Sequence, residues 1–274
     1  MASSWRALCS DFYVNQKLAV KLDLPRSRET VLDLFERVRR EFPGMQSFKR
    51  YKDELALESP TSDEPHRWLA IRSNTIRSGV VNPPHGEDAY GLHGCVLEVT
   101  PYFLSISPLD VEYLELLYGF DLAAGGNHNA IVANALISSS PLASLLDVPG
   151  AHPIDFQPVF GLRLHDLGLE GGNGGGERWS GGPVEAHFEV KTRSAERPPA
   201  ANGDIHDHVS EGEPISVYLT LRIHDPAQEL RELPEALHRL SELGERLVET
   251  RLVPGLLAPL REEILSGGHG TGAL

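Results

Sequence analysis

Hydrophobic and polar residues alternate along Phe12–Leu24. Phe12, Val14, Leu18, Val20, Leu22 and Leu24 fall on one side, and Tyr13, Asn15, Lys17, Lys21 and Asp23 on the other. Period two over this length predicts a strand with one wet face. Pro25 ends it and Ser27 can cap a helix, in which Val31, Leu34, Phe35, Val38 and Phe42 recur at helical spacing until Pro43-Gly44. Phe48–Glu58 and Arg67–Arg77 read as two more strands around the turn-rich Ser59–Pro65. After the break at Asn82–Gly86, the spacing of Leu92, Val96, Val99 and Phe103 predicts a helix over Glu87–Leu104, although Pro101 interrupts its pattern.

A similar succession follows. Leu109–Leu122 reads as a long strand whose alternation slips near Tyr113-Leu114, as a bulge would make it do. Gly125-Gly126 turns the chain, and Asn127 can cap a short helix carrying Ile131, Val132, Ala135 and Leu136. Phe156–Leu164, Val184–Ser194 and Ile215–His224 alternate cleanly as three strands. The links between them, near 168–183 and 195–213, are rich in Gly, Pro and polar residues and predict surface loops. Leu230, Leu233, Leu237, Leu240, Leu243, Leu247 and Leu252 form a closing helical stripe, which Pro254 and Pro259 should kink or divide before a loose tail at 267–274.

The expected fold class is therefore α+β: an antiparallel sheet with helices on one face. It is built from two pseudo-repeated β-α-β-β(-β)-α halves, 1–106 and 107–266, that share one sheet. Strands with one apolar face need helices on that side only. This order is similar in shape to the TATA-binding-protein saddle, or to two ferredoxin-like units side by side. The likeness is one of shape, and shape carries no function by itself. Residue identity between the halves does not display the repeat.

Apolar residues at 41% and charged residues at 23% predict a folded chain. A formal net charge of -14 disfavours nucleic acid and anionic lipid as general partners. Nucleic-acid binding would need Lys17, Lys21, Lys49, Arg50 and Lys52 to gather on one face. No run approaches the roughly 18–20 apolar residues that span a bilayer, and the first residues lack a signal-peptide core, so the expected setting is cytoplasmic. Of the 25 basic residues 20 are arginine, which with abundant Gly, Ala and Pro fits a GC-rich bacterial genome. Cys9 and Cys95 are too few for a disulfide framework or a cysteine zinc site, and a buried thiol is the expected state of Cys95.

The best candidate chemistry lies on the wet side of the late strands. Alternation groups Arg163 with His165, then Glu185, His187, Glu189, Lys191 and Arg193, then Tyr218, Thr220, Arg222 and His224. On neighbouring strands, His187 and His224 could act as acid and base, with Glu185 or Glu189 orienting them and Arg193 or Arg222 clamping an anion. The ordinary alternative is cross-strand charge pairing on a solvated face, which also suits a protein interface. His206 and His208, beside Asp204 and Asp207, have the composition of a metal site without its further ligands, and a solvated loop is the preferred reading. Asn127-His128 opens a helix after a glycine turn, so His128 could donate into a pocket, but no phosphate-loop motif surrounds it. Ser138–Ser140 lacks a nucleophile elbow.

The preferred function is a non-enzymatic binding or scaffold protein without a cofactor. Its mixed-charge sheet face, or its sheet edge, would hold a protein partner or a further copy of the chain. The alternative is a hydrolase or lyase acting on a small anionic substrate through the His, Glu and Arg residues of the late strands.

Overall fold

The computed structural model describes residues 5–165, 182–192 and 213–267. The strands are β1 (Asp11–Val20), β2 (Ser47–Arg50), β3 (Leu55–Glu58), β4 (His66–Ile71), β5 (Thr75–Val81), β6 (Val111–Leu122), β7 (Val159–Leu164), β8 (Val184–Lys191) and β9 (Ile215–His224). The α-helices are α1 (Arg28–Glu41), α2 (Gly86–Phe103), α3 (His128–Ile137), α4 (Leu233–Leu247) and α5 (Ala258–Gly267). All strands of the described residues join one nine-stranded sheet in the order β2-β3-β4-β5-β1-β6-β9-β8-β7. Every neighbouring pair is antiparallel. The α+β class with a one-sided helical layer is thus the fold of the chain.

Period two decides which side is buried. Phe12, Val14, Leu18 and Val20 of β1, Leu114, Leu116, Tyr118 and Phe120 of β6, and Val217, Leu219, Leu221 and Ile223 of β9 all enter one core. The helices cover it. α2 lies on β5 and β1, α4 lies on β6 and β9, and the two helices pack on each other. The leucine stripe is core: Leu233, Leu237, Leu240, Leu243 and Leu252 are buried there. Gly244 lets α4 approach, because a Cβ there would fall 2.3 Å from the Tyr118 ring. Tyr118 Oη lies 2.7 Å from Tyr90 Oη, and Tyr90 Oη donates to Glu245 at 2.9 Å, so the buried hydroxyls of this contact have partners.

The helix ends follow local chemistry. Ser27 accepts from the Thr30 amide at 3.2 Å and Asn127 from the Ala130 amide at 3.1 Å, as caps should. Around Pro254 the helix widens into a π-helical stretch, Val248–Leu257, before α5. Proline has no N–H to give, and a wider turn absorbs the missing bond. The chain is therefore redirected without a break, and α5 packs on α3.

Two expected strands are hairpins. Phe48–Glu58 divides into β2 and β3 at Tyr51–Glu54, and Arg67–Arg77 belongs to β4 and β5 with Arg72–Thr75 as the turn. A two-residue loop inverts the parity of alternation, so Leu55 faces Arg50 and Ile76 faces Ile71 across the ladder. The slip near Tyr113 is real. The β1–β6 register shifts between Ala19 and Val20, where Tyr113 and Val111 are the partners and Glu112 is the extra residue.

Candidate functional site

The side of the sheet without helices presents its residues in rows set by the register. One row runs Arg163, Glu185, Arg222, Glu115, Lys17 and Arg77 across β7, β8, β9, β6, β1 and β5. Its signs alternate over the first five residues. Arg163 Nη2 donates to Glu185 at 2.9 Å. Arg222 grips Glu115 Oε2 through Nε at 2.9 Å and Nη2 at 2.6 Å, and Lys17 Nζ stands 3.7 Å from Glu115 Oε1. Tyr113 lies beneath both cations, with the Arg222 guanidinium 4.6 Å and the Lys17 ammonium 5.1 Å from its ring centre. The Arg163 hydrogen bond, aided by His224, holds the Glu185 carboxyl below its ordinary range.

The neighbouring rows are less charged. Gly161, His187, Thr220, Leu117, Asn15, Gly79 and Trp68 form the next, and Val159, Glu189, Tyr218, Gly119 and Tyr13 the one after. Three glycines here carry a cross-strand ring: Trp68 over Gly79, Tyr13 over Gly119 and His187 against Gly161. A Cβ at Gly79 or Gly119 would fall 2.3 or 2.1 Å from those rings, and one at Gly161 would fall 3.2 Å from the His187 ring. His187 therefore packs as a cover for its strand neighbour. Beyond, Lys191 Nζ reaches Glu189 at 3.4 Å and sits 5.3 Å from the Tyr218 ring centre. Asp121 accepts from Ser216 Oγ at 2.6 Å and from Tyr13 Oη at 3.4 Å. Burial, then Tyr218 and Asp121, push the Tyr13 hydroxyl well above its ordinary range.

The structure thus brings Arg163, Glu185 and Arg222 into one line and sets His224 Nε2 3.7 Å from Glu185 Oε2. It separates Glu189, Tyr218 and Lys191 into other rows. His165 follows β7 and is exposed. His128 belongs to a different element, its Nε2 2.9 Å from the Ala124 carbonyl oxygen. Arg193, His206 and His208 lie outside the described residues. Among the described residues no three His, Cys, Asp or Glu side chains converge as a metal site requires. Ser140 Oγ donates to the Ile137 carbonyl and accepts from the Leu142 amide, a turn role. Cys95 is buried, and burial with Glu41 beside it pushes its thiol up to about 12.

Lys17, Lys49 and Arg50 do not gather. Lys17 is on central β1 and Lys49 on edge strand β2, four strand spacings apart, or about 19 Å. Arg50 follows Lys49 on β2 and so points to the opposite side. Among the described residues no helix is long and apolar enough to cross a membrane.

Sequence reading overlooked Glu115, which anchors the charged row. Its alternation was visible, but its cations come from β1 and β9, and only strand order shows that these flank β6. It also overlooked Glu54, which is buried and receives Arg77 Nη2 at 2.7 Å and Arg72 Nε at 3.3 Å. A cleft of about 460 Å³ opens elsewhere, between the end of α1 and the β3–β4 turn, lined by Glu41, Pro43, Ser59, Asp63, Glu64 and Arg67. No protein-family model, curated protein or solved structure matches the chain.

Proposed function

We propose that this chain is a protein-binding scaffold that acts through the helix-free sheet face or the open edge of the same sheet. The partner is a protein or a further copy of the chain. One observation carries the reading: among the described residues, the arginines of the late strands already sit on carboxylates of the face, Arg163 on Glu185 and Arg222 on Glu115. An anion clamp needs a guanidinium whose hydrogen bonds are left for the ligand. A mixed-sign row instead supplies the register-fixing complementarity of a protein surface. A cytoplasmic setting, a bacterial source and a duplicated origin of the two sides belong to the same proposal.

The test is a proton-exchange footprint. The purified chain is mixed with a candidate partner identified by cross-linking, and amide exchange is compared with that of the chain alone. Slowed exchange on β8, β9 or β7 is expected. A footprint confined to the loops and helices would refute the reading.

A second reading, hydrolysis or elimination on a small anionic substrate, rests on the His224–Glu185 pair at 3.7 Å. It requires turnover of a small anionic ester or lyase substrate that His224→Ala abolishes while the fold stays intact. Activity that survives His224→Ala removes it.

A further inference from the structure

The two edges of the sheet are unlike. β2 is four residues long, carries Lys49 and Arg50, and has Phe35 of α1 5.8 Å from the ring of Phe48. Short length and charge are the usual protection of an edge. β7 has six residues and one charge, Arg163, which is tied to Glu185. Val159, Phe160 and Leu162 are 57%, 55% and 51% exposed. Eight of the fifteen large exposed hydrophobics among the described residues fall between Leu142 and Leu162. On β7 itself, Phe160 and Leu162 stand two residues apart on one side of the strand, and exposed apolar neighbours of this kind suit an interaction site.

The ladder shows which backbone groups of β7 are open. The Val190 amide donates to the Pro158 carbonyl at 3.0 Å, in step with the Val159–Glu189 and Phe160–Phe188 register. Antiparallel hydrogen bonds recur at every second residue, so Phe160, Leu162 and Leu164 bond toward β8. Val159, Gly161 and Arg163 direct their N–H and C=O groups outward, where no strand of the described residues lies.

We infer that this edge pairs with the same edge of a second copy, antiparallel about a two-fold axis at Gly161. The inference rests on the scaffold reading and names its partner. Centring the pair on Gly161 places Val159 opposite Arg163 of the second copy and Gly161 opposite itself. Each outward amide and carbonyl of β7 then has a partner, giving six hydrogen bonds by the antiparallel rule. Centring on Leu162 instead leaves Val159 without a partner inside the strand. The same register brings Phe160 against Leu162 of the second copy twice, as non-hydrogen-bonded pairs whose side chains approach most closely. Keeping both helical layers on one side demands a register of this parity, since a one-residue slip would turn every side chain over.

Charge favours this occupant. Each chain carries -14 overall, but β7 has no acidic residue, so pairing along it brings no carboxylates of the two strands together. The incoming arginine lies in line with Val159 and, behind it, Glu189. Pairing β7 with β2 of another copy would set Arg163 beside Lys49 and Arg50, and would continue without closing. A two-fold pair closes after one step, as a continuous sheet of two copies.

The experiment is light scattering of the full chain, with amide exchange on the same sample, for wild type and for Leu162→Lys and Phe160→Lys. Both side chains are half exposed, so circular dichroism and melting should show the fold unchanged. The expected wild-type mass is twice 30.1 kDa, with slowed exchange at Val159, Gly161 and Arg163. Either substitution should weaken dimerisation at least tenfold and restore exchange at those amides. A wild-type monomer, or a dimer indifferent to both substitutions, overturns β7 self-pairing. The scaffold reading survives either result if a different protein protects β8 and β9, and fails separately if none does.

Discussion

Strands β1–β5 and β6–β9 share one alternating pattern and treat charge in opposite ways. At the two ends of β3, Glu54 and Glu58 are closed in at 3% and 2% side-chain exposure, held by Arg72, Arg77 and Lys49. On β8, Glu185 keeps 23% of its surface open although Arg163 holds it. Behind the same β1–β5 strands, His93 of α2 is sealed in the core with Ser78 Oγ 2.8 Å from its Nδ1, while His224 on β9 remains half open. Alternation tells which side of a strand a residue takes. It does not tell whether water reaches that side, and water sets the energetic weight of a charge.

The sharpest way to break this contrast is to remove one carboxylate from each side. Glu54→Ala takes a buried shared anion from two arginines that keep 34% and 17% of their side chains exposed, and should lower stability by about 1–3 kcal/mol. Glu185→Ala removes an open pair and should lower it by at most about 1 kcal/mol. Urea unfolding of the two variants checks this, and equal losses would erase the distinction.

Acid should act through the sealed side. Burial lowers the His93 pKa from 6.5 to about 3, so the folded chain refuses a proton that the unfolded chain binds between those values. Stability from this group is then full above about pH 6.5 and falls as pH drops, by about 1.4 kcal/mol per unit until the folded value is reached. Replacing His93 with Gln should flatten the dependence of the urea midpoint on pH between 7 and 4. A slope unchanged by the substitution would assign acid sensitivity to other groups.

The glycine–ring pairs give the finest comparison. Gly79→Ala and Gly119→Ala force Trp68 and Tyr13 off their strands and should each lower stability by about 1–3 kcal/mol. Gly161→Ala meets only the edge of the His187 ring, on an outer strand, and should change it by less than about 1 kcal/mol. Melting temperatures measured side by side would rank the three.

Much of this was written in the periodicity. The strand expected over Phe12–Leu24 stops at Val20 and leaves Leu22 68% exposed, but Phe12–Leu18 and Val217–Ile223 do alternate between the core and the other side, and Ser27 and Asn127 announce their helices because capping is a local bond. The two N-terminal hairpins were harder. Tyr51-Lys-Asp-Glu54 holds no glycine or proline, so its turn shows only as a change in parity. Strand order was illegible, because nothing local to Lys17, Glu115 or Arg222 says that β1, β6 and β9 are adjacent. The candidate residues were therefore legible as a face, and their pairings were not.

The place of β1 has a consequence for synthesis. Among the described strands it comes first in the sequence, and it lies at the centre with β5 on one side and β6 on the other. β1–β5 and α2 can assemble as soon as they emerge, leaving the second side of β1 bare until β6 arrives. β6 in turn waits for β9, which among the described strands comes three later in the sequence. Until Ile215–His224 is made, the growing protein thus displays a long apolar strand with an unsatisfied ladder, the kind of template that neighbouring nascent chains join. Slowing synthesis between Leu122 and Ile215 would lengthen that exposure.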